Sequence, residues 1–159
     1  MQIRTAKDIV HKLIDVVSKN GQLLLNLSPK ADGTFPDDQK QVVYDVGRWL
    51  WSFGESIYET RHFEVSNELV DGTMRVHYTR KSKNVYAILL DWPGDNKSVS
   101  LAELTKNRLK GKVKAVTLLG LKQMENCAFN QTDNGLMFTI PAKTRVPSEI
   151  AHVFRIELE

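Results

Sequence analysis

One stretch, residues 22–27 (Gln-Leu-Leu-Leu-Asn-Leu), constrains the fold of this chain more than any other. Its leucines fall on both faces of a predicted β-strand, which is typical of a parallel sheet covered by helices. Helical patterns precede and follow the strand, yet the remaining sequence offers no second βα unit with which it could pair. We therefore expect a helix–strand–helix piece of a larger sheet, part of which is missing from this chain.

The two flanking helices have recognisable start and stop signals. Thr5 and Asp8 form a candidate capping box, and Asn20-Gly21 is expected to end the first helix with glycine in the left-handed position. Pro36-Asp37-Asp38 opens the second helix, because aspartates favour the positive end of the helix dipole. Apolar residues at helical spacing mark the buried faces: Ile9, Val10, Leu13, Ile14, Val16 and Val17, then Val42, Val43, Val46, Trp49, Leu50 and Phe53.

Two tryptophans in the second helix raise the question of sugar stacking. Trp49 falls on the apolar stripe, so a place in the core is favoured. Trp51 lies off that stripe, and we expect it to pack against the domain that follows.

After about residue 62 the hydrophobic pattern changes from period 3.6 to period 2. Short runs separated by turn signals such as Asp133-Asn134-Gly135 are typical of an antiparallel sandwich. Strands are expected at residues 74–79, 85–92, 99–101, 113–119, 127–130, 136–140 and 150–158. The sequence thus predicts a mostly-β chain, in which residues 1–61 form the helix–strand–helix piece and residues 62–159 a Greek-key-like antiparallel β-sandwich.

Composition and charge narrow the classes of partner. The chain has 159 residues and a net charge of +3, and no apolar run approaches the roughly 18 residues needed to span a bilayer. A basic cluster carries no interleaved aromatic residue, so a solvated loop and strand edge is favoured over nucleic-acid binding. The cluster comprises Lys106, Arg108, Lys110, Lys112 and Lys114. We expect neither a nucleic-acid nor a membrane partner.

No pattern in the sequence points to a catalytic or metal site. Cys127 is the single cysteine, so no intrachain disulfide is possible, and a buried structural thiol is favoured over a nucleophile. The histidines, none at metal-ligand spacing, are His11, His62, His77 and His152. Since His77 and His152 sit in strand patterns, we expect each to be at the surface or fully hydrogen-bonded. No catalytic residue, metal or cofactor is predicted.

Three Asn-x-Ser/Thr sequons begin at Asn26, Asn96 and Asn130. Asn26 lies in the apolar strand and is a poor acceptor of a glycan. Asn96 and Asn130 lie in turn-like surroundings, so they are the candidates for glycosylation if the protein is secretory. Residues 1–4 lead directly into the first helix without a signal-peptide pattern, which leaves the localisation unknown.

Residues 16–34 strongly resemble the last βα unit of α-L-fucosidases, the retaining exo-fucosidase family. Residues 47–50 and 54–61 are similar to the end of that family's catalytic domain. Three further segments are similar to its C-terminal β-sandwich: residues 85–93, 116–120 and 147–151. Two departures lie at the domain junction, where Glu59 replaces a common small residue and His62-Phe63 a frequent Pro-Trp.

The resemblance implies a parent enzyme that releases terminal α-L-fucose from glycans with retention, through a glycosyl-aspartate and without a metal or cofactor. The family's nucleophile and acid/base lie on earlier segments of a (β/α)8-like barrel, so no catalytic residue is transferred and this chain alone is expected to be inactive. Asn26 near the end of the last barrel strand, and Ser28 and Lys30 in the loop after it, are pocket-rim candidates. The alternative is that they only shape the turn and the barrel–sandwich junction.

The family suggests a lysosomal or secreted location, and the chain's partners would be fucosylated glycans and the rest of the catalytic barrel. Two other hypotheses remain open. One is a stand-alone β-sandwich that binds carbohydrate or a protein; the other is a truncated product without a function of its own.

Overall fold

The computed structural model describes residues 4–120, 125–142 and 148–159. Residue 147 of the closing motif and residues 1–3 lie outside these ranges. The described helices are α1 (Ala6–Ser18), α2 (Asp37–Phe53), which continues into a 3₁₀ turn (Gly54–Ser56), and α3 (Lys106–Leu109). The described strands are β1 (Arg61–Val70), β2 (Met74–Lys81), β3 (Asn84–Leu89), β4 (Ser98–Leu101), β5 (Val113–Leu118), β6 (Glu125–Asn126), β7 (Ala128–Thr132), β8 (Gly135–Thr139) and β9 (His152–Leu158).

The strands form two sheets that enclose one core. The larger sheet has the order β1-β2-β3-β9-β5-β6 and the smaller one β4-β8-β7, and neighbouring strands are antiparallel. Tyr78 and Phe154 on the larger sheet and Phe138 on the smaller one belong to the same core cluster, and all three side chains are almost fully buried. Phe138 and Phe154 stack with ring centroids 4.6 Å apart. The predicted antiparallel β-sandwich is confirmed.

Helices α1 and α2 cover the opposite face of the larger sheet. Ile14, Trp49 and Phe53 pack there against Ile88 and Val153, in a second apolar cluster separate from the sandwich core. The larger sheet is therefore buried on both faces, which is unusual for a sheet whose strands are antiparallel. The boundary predicted at residue 62, between the helix–strand–helix piece and the sandwich, falls at the start of β1. This division into two domains stays a prediction.

The capping box of α1 is confirmed. The Asp8 amide donates to Thr5 Oγ1 at 3.1 Å, and the Thr5 amide donates to Asp8 Oδ2 at 3.1 Å. At the other end, the expectation for Gly21 is wrong: Asn20 takes the left-handed conformation, with φ of 64°. The amides of Asn20 and Gly21 reach back to the carbonyls of Val17 and Val16, a Schellman arrangement. Gly21 is needed for space, since a Cβ there would lie 2.8 Å from Val16 Cγ1.

Both strand histidines depart from expectation, because they are neither at the surface nor fully hydrogen-bonded. His77 is 1% exposed and His152 is 3% exposed. His77 Nδ1 lies 3.0 Å from Ser18 Oγ on α1, while His77 Nε2 and His152 Nδ1 have no hydrogen-bond partner among the described residues. The alternating pattern of β2 placed His77 on an open face, but α1 covers that face.

Several other elements differ from the prediction. Residues 22–27 join no β-ladder within the described ranges. Strand β1 was not predicted, because a register shift between His62 and Asn67 interrupts its alternation. Helix α3, a single turn, lies within the basic cluster, for which we expected a solvated loop and strand edge. Trp49 is in the core as predicted, whereas Trp51 is 92% exposed instead of packing against the sandwich.

Candidate functional site: the open segment at residues 22–30

Residues 22–27 are only partly covered by the rest of the described chain. Leu23 packs at the margin of the helix–sheet cluster and Leu27 is partly covered. Leu24 is 85% exposed, and both Leu25 and Asn26 are exposed. Residues 22–27 form no described strand, and three consecutive side chains in their middle are left in solvent. We call Leu24 and Leu25 the open leucine pair.

The loop that follows is held to the start of α2. Buried Gln39 accepts a hydrogen bond from the Ser28 amide at 2.9 Å through Oε1. Further along, the Lys30 amide donates to the Thr34 carbonyl at 2.7 Å. Asp32 Oδ1 accepts from the amide and the hydroxyl of Thr34, and these bonds lower the pKa of the Asp32 carboxyl. The loop therefore has a defined path away from residues 22–27.

The three rim candidates, Asn26, Ser28 and Lys30, are all exposed along this path. Ser28 contributes its backbone to the contact with Gln39, which is the role that the turn-shaping alternative gives it. The side chains of Asn26 and Lys30 project from the open stretch. The arrangement leaves both the rim hypothesis and the turn-shaping alternative standing.

Glu68 has a carboxylate with a raised pKa, and its role is structural, within the β-sandwich. Burial raises the pKa of Glu68, which is half-buried on β1. Its oxygens accept hydrogen bonds from the Tyr78 hydroxyl and from the amides of Ala102 (3.1 Å) and Glu103 (3.4 Å). Glu68 therefore fastens β1 to the segment after β4, and its raised pKa follows from this structural position.

Metal ligation has no support in the described residues, where no group of three or more His, Cys, Asp or Glu side chains is gathered to hold an ion. Cys127 is buried as predicted, and burial raises the pKa of its thiol to about 11. A protonated, enclosed thiol is a poor nucleophile.

The basic cluster is matched by surface carboxylates. Its ion pairs are Lys106–Asp133, Arg108–Glu103, Lys110–Glu64, Lys112–Glu159 and Lys114–Glu157. Each cation of the cluster thus has an acidic neighbour, which reduces the net positive field of this surface. Within the part of the chain that the structure describes, no helix has the length and apolar character to cross a bilayer.

The open leucine pair leads to a testable expectation for the isolated chain. Exposed apolar patches promote association, so the purified protein should bind an apolar dye and self-associate as its concentration rises. Leu24→Ser should reduce both effects with a change in stability of less than about 0.5 kcal/mol, since the side chain is almost free. Sedimentation velocity and dye fluorescence measure them. A strictly monomeric wild-type chain without dye binding would contradict the expectation.

Two family models match the chain in order. The model described as "Alpha-L-fucosidase" matches residues 1–55, and the one described as "Alpha-L-fucosidase C-terminal domain" matches residues 70–157, more than half of the chain. The structural boundary between α2 and β1 lies between the two matched ranges.

Similar proteins agree with these matches. Tissue α-L-fucosidase of Bos taurus is 30% identical over 97% of this chain, and plasma α-L-fucosidase of Homo sapiens is 34% identical over 88%. The crystal structure of Thermotoga maritima α-fucosidase in complex with fucose superposes with a TM-score of 0.80 at 30% identity over 98% of the chain. The matched region makes up 31%, 29% and 35% of the length of these proteins.

The chain therefore spans about a third of the length of the relatives it matches. Its helices and sandwich align with their C-terminal portion. This chain belongs to the α-L-fucosidase family and corresponds to the C-terminal portion of its members.

Proposed function

We propose that this chain works as the C-terminal part of an enzyme that removes terminal α-L-fucose from glycans with retention. In such a reaction one carboxylate attacks the anomeric carbon, and a second serves as acid and then as base. Both carboxylates would belong to the preceding barrel segments. The open leucine pair carries the proposal, because two adjacent exposed leucines in a segment that pairs with no described strand form an apolar patch that a neighbouring segment would cover.

The chain's own contribution would be to position the last barrel strand. The helix–sheet cluster holds α1 and α2 as a rigid support, with the indole of Trp49 donating to the Ala151 carbonyl at 3.2 Å. Gln39 then fixes the exit of the strand through Ser28. In this arrangement residues 1–61 complete the barrel, residues 62–159 support it from outside, and Asn26 and Lys30 border the pocket for fucosylated glycans.

The test compares the isolated chain with a chimera. The 159-residue protein should not hydrolyse an aryl α-L-fucoside. Joined to the preceding part of human tissue α-L-fucosidase, it should give a chimera that does. Leu24→Asp should abolish hydrolysis by the chimera, since a charge would be buried at the new strand contact. The matched control is Leu69→Asp, an exposed leucine on β1 outside the proposed contact, which should leave hydrolysis unchanged.

Two results would contradict the proposal. One is turnover by the isolated chain. The other is a chimera that hydrolyses the fucoside equally well with Leu24→Asp, because the open leucine pair would then play no part in completing the barrel.

Glycan mapping offers an independent prediction. If the parent enzyme is secretory, Asn96 and Asn130 should carry glycans, since both are exposed, Asn96 in a turn with φ of 56° and Asn130 on the edge strand β7. Asn26 should be unmodified in the parent enzyme because the neighbouring barrel strands and the pocket that it borders would leave no room for an attached glycan. Peptide mapping of protein expressed in a secretory host measures the occupancy. A glycan at Asn26 would contradict burial of this strand.

A further inference from the structure

One end of the larger sheet brings together polar side chains that the proposed catalysis does not use. Strand β2 pairs with β3 as far as Val76 and Leu89, and the Leu90 amide extends the ladder by donating to the Arg75 carbonyl at 3.1 Å. The turn between β1 and β2 is thereby placed beside the segment that leaves β3. The two segments border an open surface cavity of about 340 Å³, lined by Asp71, Thr73, Met74, Asp91, Trp92 and Pro93.

Trp92 lines this cavity, and neighbouring side chains hold its ring in place. Its ring lies 4.9 Å from that of buried His152, at an interplanar angle of 58°. Trp92 is partly buried and packs against the sandwich core, and its remaining surface lines the cavity together with Met74 and Pro93. A fixed indole beside two apolar side chains provides a flat wall for the C–H face of a sugar ring.

The other side of the cavity offers hydrogen-bonding groups. Asp71, Thr73 and Asp91 are exposed, and none of the three side chains is hydrogen-bonded or ion-paired with a described residue. This differs from the basic cluster, where each charge has an acidic neighbour. Two carboxylates and one hydroxyl can accept hydrogen bonds from sugar hydroxyls, and their negative charge disfavours an anionic ligand.

From this arrangement we infer that the cavity at the β1–β2 turn binds a neutral sugar unit of a glycan. The apolar wall stacks on the ring while Asp71, Thr73 and Asp91 accept from its hydroxyls. The volume falls within the roughly 300–1,000 Å³ of small-molecule sites. The choice of a sugar rests on the proposed function, under which the protein encounters fucosylated glycans. The site would hold part of a glycan away from the reacting bond.

The test is a titration of the ¹⁵N-labelled 159-residue chain with 2′-fucosyllactose. The chain has three tryptophans, so the indole signals report separately on each. The Trp92 signal should shift in a saturable manner while those of Trp49 and Trp51 stay in place. Trp92→Ala should weaken binding at least about tenfold. The matched control is Trp51→Ala, which removes a more exposed indole outside the cavity and should leave the affinity unchanged.

Because Trp92 is partly buried, its replacement can weaken binding by disturbing the fold. A second variant therefore tests the site without changing a buried side chain. Asp71→Asn combined with Asp91→Asn alters only exposed side chains and should also weaken binding. Absence of a saturable Trp92 shift, or wild-type affinity in both variants, would overturn the inference. So would saturation of the site by N-acetylarginine amide but not by the sugar, which would assign it to a cationic ligand. Fucoside hydrolysis by the chimera is measured separately, so failure of the sugar site leaves the proposed function intact.

Discussion

Replacing Gly135 by alanine should destabilise the protein by about 4 kcal/mol. Gly135 begins β8 with φ of +136°, a conformation that costs other residues about 1–3 kcal/mol. An added Cβ would lie 2.4 Å from the Leu101 carbonyl oxygen and 3.0 Å from Ala102 Cα. Both are backbone atoms at the end of β4, so the strand itself would have to move, at a further cost of about 1–3 kcal/mol.

Urea unfolding followed by circular dichroism measures the lost free energy of unfolding, and in thermal unfolding we expect a fall in Tm on the order of 10 °C. Gly72→Ala is the matched control. Gly72 also has positive φ, +72°, but its Cβ would meet nothing within 4 Å, so the cost should be about 1 kcal/mol. Equal losses of stability in the two variants would contradict the close contact between the start of β8 and the end of β4.

Acidification should weaken the fold through two buried histidines. Burial lowers the pKa of His77 and of His152 from 6.5 to about 4. Below pH 6.5 these histidines take up protons in the unfolded chain but stay neutral in the folded chain. The free energy of unfolding is therefore highest above pH 6.5 and falls as the pH approaches 4. Each histidine should cost about 2 kcal/mol at pH 5 and about 3 kcal/mol at pH 4.

The surroundings of His77 explain why it stays neutral. Ser18 Oγ donates to the Asp15 carbonyl at 2.9 Å, so it accepts from His77 Nδ1 and leaves Nε2 with a bare lone pair. A proton on Nε2 would be buried without a partner among the described residues. Asp15 favours the charge, whereas Arg75 and Lys19 oppose it, and desolvation outweighs them all.

Urea titrations between pH 7.5 and pH 5 measure this loss before most carboxylates titrate. His77→Gln should remove about half of the pH dependence, because its amide can still reach Ser18 but does not titrate. His62→Gln is the control, since His62 is exposed and should leave the dependence unchanged. A free energy of unfolding that stays constant over this range would contradict the burial of both rings.

Local signals in the sequence predicted local structure well. The capping box of α1 and the turn at residues 133–135 depend on neighbouring residues, and both formed where expected. The left-handed position at the end of α1 went to Asn20 because Gly21 was needed where Val16 approaches closely. Two adjacent residues that both suit a helix end are difficult to rank from sequence alone.

The larger errors came from contacts between distant segments. Period-2 alternation predicts which residues of β2 share a face. It does not predict that α1 covers the second face and buries His77. The irregular pairing of β1 concealed that strand for a similar reason, since a bulge destroys alternation. Trp51 shows the opposite case, in which an apolar side chain expected to be packed is left in solvent.

The candidate site was predictable only in part. The leucine-rich run indicated unmet apolar contacts at residues 22–27, and Leu24 is indeed bare, but the predicted strand does not form within the described ranges. The role of Gln39 in holding Ser28 was missed, because it depends on how α2 returns to the preceding loop. Nor did the sequence indicate the Trp92 cavity, which two sequentially separate turns create by lying side by side.

The central claim is that the native protein contains this chain as its C-terminal part. An antibody against residues 62–159, used on the protein in its source and followed by intact mass measurement, tests the claim directly. We expect a polypeptide about three times as long as this chain, in proportion to its relatives. We also expect the antibody to capture the fucoside-hydrolysing activity together with this polypeptide. A native mass equal to 159 residues would contradict the account, and the family relationship would then describe ancestry alone.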